Sequence, residues 1–464
     1  MTDPRSLPSS GGHPSRPSCP RQSNLRILHP NAAGIDIGSQ HHYVAVPADR
    51  DPEPVRHFGC LTPHLQEMAR WLKACGVDTV AMESSGVYWI PVMQVLQEQG
   101  LEVYLVDARE AQNMPGRKTD AKDCQWLQEL HTHGLLTRAF RPADAVCVLR
   151  SYWRHRQGLV EMASMQIQLM HKSLEQMNLQ LHKVLSDITG VTGMKILRAI
   201  LQGQRDPVVL AQMKHPLVQS SAETIAQALT GDWRVEHLFT LRQALELYDV
   251  YQQKIEACDQ EIETYRKTLE SRGDPKDLEP RERGTRRKNQ VHFDLRQPLY
   301  EWTGVDLTTL PGIDAITAQM VVSECGTDMS RFATEKHYSS WLGLCPNHEI
   351  TGGKVRQRRT RKVRNRAARA LRVAAQSLHK STSALGAYYR RMHGRCGPAK
   401  AITATAHKLA ILIYRMLKYG MKYVEQGQQA YEQQYQERTR KMLVKRVRQM
   451  GYAMVDLRSG ELVS

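Results

Sequence analysis

AGIDIGSQHHYVAVP, residues 33–47, reads as a strand, a Gly-Ser turn and a second strand, and therefore as a β-hairpin. Asp36 sits inside the first strand between Ile35 and Ile37, where a carboxylate is costly without a partner. Working outward, Leu65, Met68, Ala69 and Leu72 recur at helical spacing and predict an amphipathic helix over 62–76. DTVAME (78–83) follows as a buried strand, then a helix over about 88–99 ended by Gly100. A third apolar run, LEVYLV (101–106), stops at Asp107, and a further helix runs over 119–133 behind Thr119 as its N-cap. Strands alternating with helices define an α/β domain over residues 26–140.

The flanking regions differ in character. Residues 1–25 hold Pro4, Pro8, Pro14, Pro17 and Pro20 among Ser, Gly and Arg, cannot bury a core, and read as a disordered tail. Residues 141–272 are helical almost throughout. Within them Leu238, Leu241, Leu245, Tyr248, Tyr251, Ile255, Cys258, Ile262, Tyr265 and Leu269 recur at three- and four-residue steps. That stripe predicts a long helix in a coiled-coil dimerisation region, the alternative being a long helix folded back on its own domain. Residues 273–298 form a charged linker, 299–425 a mainly helical second globular unit, and 426–464 a basic tail.

Composition narrows the function. Lys plus Arg exceeds Asp plus Glu, 64 to 47, and the resulting charge of +17 points to a polyanionic partner. No apolar run approaches the roughly 18 residues of a membrane-spanning helix, and the N-terminus does not resemble a signal peptide. Nine cysteines without a CxxC pair argue against a disulfide framework and a thiolate zinc site, and for a reducing, cytoplasmic setting. Nucleic acid is the leading partner.

Four constellations could carry chemistry. The first joins Asp36, Glu83 at the end of a buried strand, and Asp120 with Asp123 three apart on one helix face. Taken singly, each is as well explained by a cap, a turn or a solvated face, and Asp107 is such a decoy. Converging carboxylates call for a divalent cation, and oxygen-only ligands suit Mg²⁺ or Mn²⁺. Two such ions about 4 Å apart would clamp a phosphodiester. The order of these acids resembles the ribonuclease-H-like fold of the RuvC junction resolvases. The second is LPGI, residues 310–313, which looks like a helix-hairpin-helix whose Gly312 turn would hold a phosphate. An ordinary helix connection is its plain alternative.

The third is KVRQRRTRKVRNRAARALR (354–372), which carries Lys354, Arg356, Arg358, Arg359, Arg361, Lys362, Arg364, Arg366, Arg369 and Arg372 and no acid. Uncompensated, such a run repels itself, so a polyanion explains it better than a solvated face. A second basic stretch, Arg438–Arg448, fits either nucleic-acid contact or solubility. The fourth is Thr351-Gly352-Gly353, a hydroxyl on a glycine turn beside those cations, placed to attack a phosphate, although such a turn is most often a plain loop.

GIDIG around Asp36, MESSGVYW around Glu83 and KTDAKDCQWL around Asp120 and Asp123 resemble the DEDD insertion-sequence transposases, as do LPGID, WLGLCPNHEITGGKV and NRAARALRVAAQSL. The resemblance spans most of residues 30–425. It implies a site-specific recombinase of a bacterial, nucleoid-associated mobile element, acting on donor and target DNA under an element-encoded guide RNA. It further implies Asp36, Glu83, Asp120 and Asp123 as Mg²⁺ ligands, and a dimer or tetramer with a helical insert between two domains. The family's nucleophile is a serine in an SGG-like turn. Thr351 holds that position here; its methyl group crowds the approach and stiffens χ1. Ser339, Ser340 or loss of activity are the alternatives. Competing readings are a metal-dependent nuclease or junction resolvase without a covalent intermediate, a non-catalytic binding protein, and a tyrosine recombinase using Tyr388 or Tyr389 with Arg390, Arg391 and His393.

Overall fold

The computed structural model describes residues 26–84, 86–106, 119–281, 289–352, 354–361, 363 and 365–455. The expected N-terminal tail, Asp107, Lys362, Arg364, the middle of the charged linker and the last residues of the basic tail lie outside the described residues. The chain forms two compact units, residues 1–141 and 142–464.

The first unit is built on a five-stranded sheet of order β3-β2-β1-β4-β5. Its strands are β1 (Ala32–Ile37), β2 (His41–Ala45), β3 (Val55–Gly59), β4 (Thr79–Glu83) and β5 (Glu102–Val106). β1, β2 and β3 run antiparallel in sequence order, while β4 and β5 lie parallel to β1. Helices α1 (Thr62–Ala74) and α2 (Trp89–Glu98) provide the crossovers that parallel pairing requires. They cover one face, where Leu65, Met68, Leu72, Val92 and Leu96 pack on Ile35, Val44, Met82 and Leu105. Helix α3 (Asp120–Thr132) belongs to the opposite face, where Ala81, Val106, Leu127 and Leu136 form a smaller cluster. The mixed sheet fits the expected ribonuclease-H-like α/β class. β3 was not expected: in VRHFG only Phe58 is fully buried, so an edge strand leaves little apolar alternation.

The C-terminal end of α3 is pinned by polar contacts. His131 Nε2 lies 2.9 Å from the Thr79 hydroxyl on β4, and its ring stacks on His29 at 4.7 Å. Burial, reinforced by His29, pushes the His131 imidazole down to about 4. A depressed imidazole pKa costs nothing while both states are neutral. As pH falls below the unfolded value of about 6.5, only the unfolded chain takes up this proton. The contribution of His131 to the stability of the first unit is therefore expected to fall between about pH 6.5 and 4 and to level off below. A chemical-denaturation series across that range, compared with His131→Gln, checks the assignment.

The second unit starts from two long helices, α4 (Asp144–Gln176) and α9 (Val235–Arg266). Between them lie four short helices, α5 (Leu181–Val184), α6 (Val191–Leu201), α7 (Pro207–Ala211) and α8 (Ala222–Ala228). The long pair runs antiparallel: Tyr265 donates to the Ala145 carbonyl at 3.0 Å, and Tyr152 to Glu261 at 3.3 Å. On α9, Leu241, Leu245, Tyr248, Ile255, Cys258 and Ile262 are buried, so the expected stripe is the packed face and α4 of the same chain is a partner for it. A buried Arg156–Asp259 ion pair joins the two helices, with Arg156 Nη2 also donating to the Asn289 carbonyl at 3.2 Å.

The remainder comprises α10 (Arg296–Thr303), α11 (Ala315–Cys325), α12 (Glu335–Trp341), a hairpin of β6 (Pro346–Thr351) and β7 (Lys354–Thr360), then α13 (Arg366–Ser377), α14 (Ala384–Cys396), α15 (Pro398–Tyr419) and α16 (Met421–Gln449). Arg154 grips Glu324 through two bonds of 2.8 and 2.7 Å, tying α4 to α11. Arg415 does the same to Glu335 at 2.6 and 2.8 Å, tying α15 to α12. None of the described helices is long and apolar enough to cross a membrane.

Candidate active site

In the first unit the acids are positioned by one small residue. An added Cβ at Gly34 would stand 2.3 Å from the Cys124 carbonyl oxygen and 2.4 Å from the Gln128 nitrogen. Only a residue without a side chain lets α3 lie this close to β1. Asp36 is two residues along the same strand and projects from the same face. Thr119 caps α3 by accepting from the Lys122 amide, which starts the helix so that Asp120 and Asp123 fall in its first turn. Carboxylate placement there is also favoured by the helix dipole.

The consequence is a cluster. One oxygen from each of Asp36, Asp120 and Asp123 lies within 4.8 Å of the others. Asp36 and Asp123 are half-buried and Asp120 is exposed. The donor set is entirely carboxylate oxygen, which fits a hard divalent cation and disfavours zinc. Burial, with Asp36 and Asp123 adding to it, pushes the neighbouring Cys124 thiol up to about 12, so it offers no ready thiolate. Glu83 is not one of the three. It follows Met82 on β4 as Asp36 follows Ile35 on β1, and Met82 and Ile35 are register partners. It therefore sits beside Asp36 on the same face.

In the second unit Thr351 occupies the end of β6, paired with Lys354 across the turn, and its side chain is exposed. Gly352 has φ +57°, the left-handed backbone a two-residue hairpin turn demands. Lys354, Arg356, Arg361 and Arg366 are also exposed, and the backbones of Arg358 and Arg359 pair with His348 and Asn347. Arg372 differs: it is half-buried, 3.4 Å from the Gly343 carbonyl, and burial lowers its pKa. Ser339 is fully buried and donates to the Glu335 carbonyl at 2.7 Å, a poor position for a nucleophile; Ser340 is half-buried. Tyr389 is buried against His379 and His393, and Tyr388 is faced by Arg391 and Lys408.

The Gly312 turn has φ +84°, and an added Cβ would meet the Ala374 carbonyl at 3.0 Å, so glycine permits its approach to α13. A one-turn 3-10 helix, Leu307–Thr309, precedes it. Asp314 caps α11 by accepting from the Thr317 amide at 2.8 Å. Sequence reasoning missed the role of Gly34 and the β6–β7 hairpin. A glycine inside a strand pattern, and Gly-Gly between two extended runs, were the available signals.

Residues 33–179 match a DEDD transposase family of the IS110 type, described as Transposase, and residues 305–390 match the Transposase IS116/IS110/IS902 family. No curated protein matches the chain. Both matched regions define an enzyme that acts on DNA as a transposase or recombinase. The chain belongs to the IS110-type family of DEDD insertion-sequence transposases.

Two tests follow for the cluster. Asp120→Asn or Asp123→Asn in the full chain is expected to weaken Mn²⁺ binding about tenfold or more by titration calorimetry, while Asp314→Asn leaves it unchanged. Gly34→Ala should cost roughly 1–3 kcal/mol of stability by forcing the helix off the strand. It should also weaken the same Mn²⁺ binding although it removes no ligand atom.

Proposed function

We propose that this transposase cuts and rejoins DNA strands through a covalent Thr351–DNA intermediate, with Asp36, Asp120, Asp123 and Glu83 serving a divalent cation, Mg²⁺ or Mn²⁺. The observation that carries the reading is the convergence of three carboxylates from a strand and a helix onto one point. When bound, the cation supplies Lewis-acid stabilisation of charge on phosphate oxygens.

The remaining chemistry belongs to the chain. Thr351 presents an exposed hydroxyl at a hairpin end, and its Oγ1 attacks the phosphorus. A Thr351 Oγ1–P ester forms as one P–O bond of the strand breaks, and the leaving oxygen departs as a strand-end hydroxyl carrying a proton. Attack by another strand-end hydroxyl reverses these events and returns the threonine. Number and type of phosphoester bonds are conserved, so rejoining needs no external energy source. Lys354, Arg356, Arg358, Arg359, Arg361, Lys362, Arg364 and Arg366 hold the backbone by charge rather than by sequence. Gly312 is a weaker candidate for phosphate contact, because Asp314 already caps the helix behind it.

Choice of site is assigned to base pairing by an element-encoded RNA, which rests on the family resemblance. Self-association to a dimer or tetramer is assigned to the α4–α9 pair. Met162, Met165 and Leu169 of α4 and Leu247 and Val250 of α9 are exposed apolar side chains on that pair.

The test is a denaturing-gel assay of the protein with Mg²⁺, the element's flanking transcript and junction DNA. A slow-migrating protein–DNA adduct is expected, lost in Thr351→Ala and in Asp36→Asn and retained in Thr351→Ser. Cleavage without adduct, unaffected by Thr351→Ala, would establish instead a hydrolytic nuclease or junction resolvase.

A further inference from the structure

The basic character of the second unit is not confined to the hairpin. Arg390 and Arg391 of α14 and Arg438 of α16 line a cavity of about 350 Å³, with Tyr435 and Thr439 on its wall and no acid among its described lining residues. Two of these arginines are held by the protein itself. Arg390 Nη1 donates to the carbonyls of His379 at 3.0 Å and Ser381 at 2.6 Å. The Arg391 guanidinium stacks over the Tyr388 ring at 5.6 Å. Arg438 is exposed, and Thr439 spends its hydroxyl proton on the Tyr435 carbonyl at 2.9 Å. The nearby acid Glu437 is engaged by Lys441 at 2.9 Å, outside the cavity.

The positive surface continues along α16, where Lys441, Lys445 and Arg448 line a second cavity of about 450 Å³. From Arg438 to Arg448 the helix rises roughly 15 Å at 1.5 Å per residue. That is the span of about four or five phosphates along one strand. Two anchored guanidinium groups at one end, and two lysines with Arg448 at the other, suit a continuous row of phosphates better than one compact anion.

We propose that the cleft between α14 and α16 grips the phosphodiester backbone of a nucleic-acid strand without reading its bases, on elements other than the β6–β7 hairpin. The assignment rests on the reading that this chain works on nucleic acid. It does not depend on the covalent intermediate. Duplex DNA and folded RNA share the chemistry, and the test separates them.

Fluorescence anisotropy of the full chain would be measured with a duplex DNA and with an RNA hairpin, both of arbitrary sequence, over a range of salt. The variant is Arg391→Gln with Arg438→Gln, which spares the Arg390 anchor. Arg70→Gln with Lys73→Gln, on exposed positions of α1, removes the same charge elsewhere. The cleft variant is expected to reduce the slope of log affinity against log salt by about 0.9 per lost contact on duplex DNA. Arg391→Lys with Arg438→Lys should restore it, which a merely structural role would not. Loss on only one probe identifies which nucleic acid occupies the cleft. An equal loss in the α1 control, or unchanged slopes on both probes, would overturn the proposal. A changed slope in a chain that forms no adduct would leave the cleft standing while removing the proposed function.

Discussion

The missing side chain at Gly34 is the constraint on which the first unit's site depends. Sheets and helices ordinarily keep their distance through the side chains between them. Here the Cys124 carbonyl and the Gln128 amide occupy the place a Cβ would need. The separation between Asp36 and the first turn of α3 is set by that contact. Backbone against backbone is a stiffer spacer than a packed rotamer, because the contact has no side-chain torsion to yield and strand and helix hydrogen bonds hold both partners. His131 and Thr79 fix the other end of the helix, so both its distance and its tilt are determined by buried contacts.

The arginines of the second unit divide into two populations. Arg154, Arg156, Arg296 and Arg415 are consumed by Glu324, Asp259, Asp306 and Glu335, and these pairs hold helices together. Where such a pair is buried, as at Arg156–Asp259, it gives little net stability but makes a displaced arrangement costly, since slippage would strand an unpaired charge. The run from Lys354 to Arg372 contains no acid at all. Arg369 reaches Glu161 at 3.9 Å and Arg372 the Gly343 carbonyl at 3.4 Å, while Lys354, Arg356, Arg361 and Arg366 stand exposed. The excess of +17 is thus concentrated locally, and on the proposed reading the exposed cations of the run meet a polyanion.

Much of this is legible in the sequence. The β1–β2 hairpin, β4, β5 and the helices of the first unit follow from apolar periodicity, and Thr119 marks the start of α3 as expected. The buried stripe on α9 is equally plain, though periodicity could not say that α4 would cover it. What escaped notice has no apolar pattern to betray it. β3 buries only Phe58 fully, and β7 is built from KVRQRRT, whose charges conceal an extended segment. In the acid site the two aspartates on α3 and Asp36 converge as their spacing suggested. Glu83 was placed among them by order along the chain, but a strand position specifies a neighbour and a face rather than a distance.

The hairpin bearing Thr351 has only two strands, and its bulge between Glu349 and Ile350 interrupts even that short ladder. A two-stranded ribbon is marginal in water, and the cations of β7 repel one another along it. Polyanion contact removes the repulsion and favours the ordered ribbon. On the proposed reading, a strand held along β7 would also steady the hairpin end that carries Thr351.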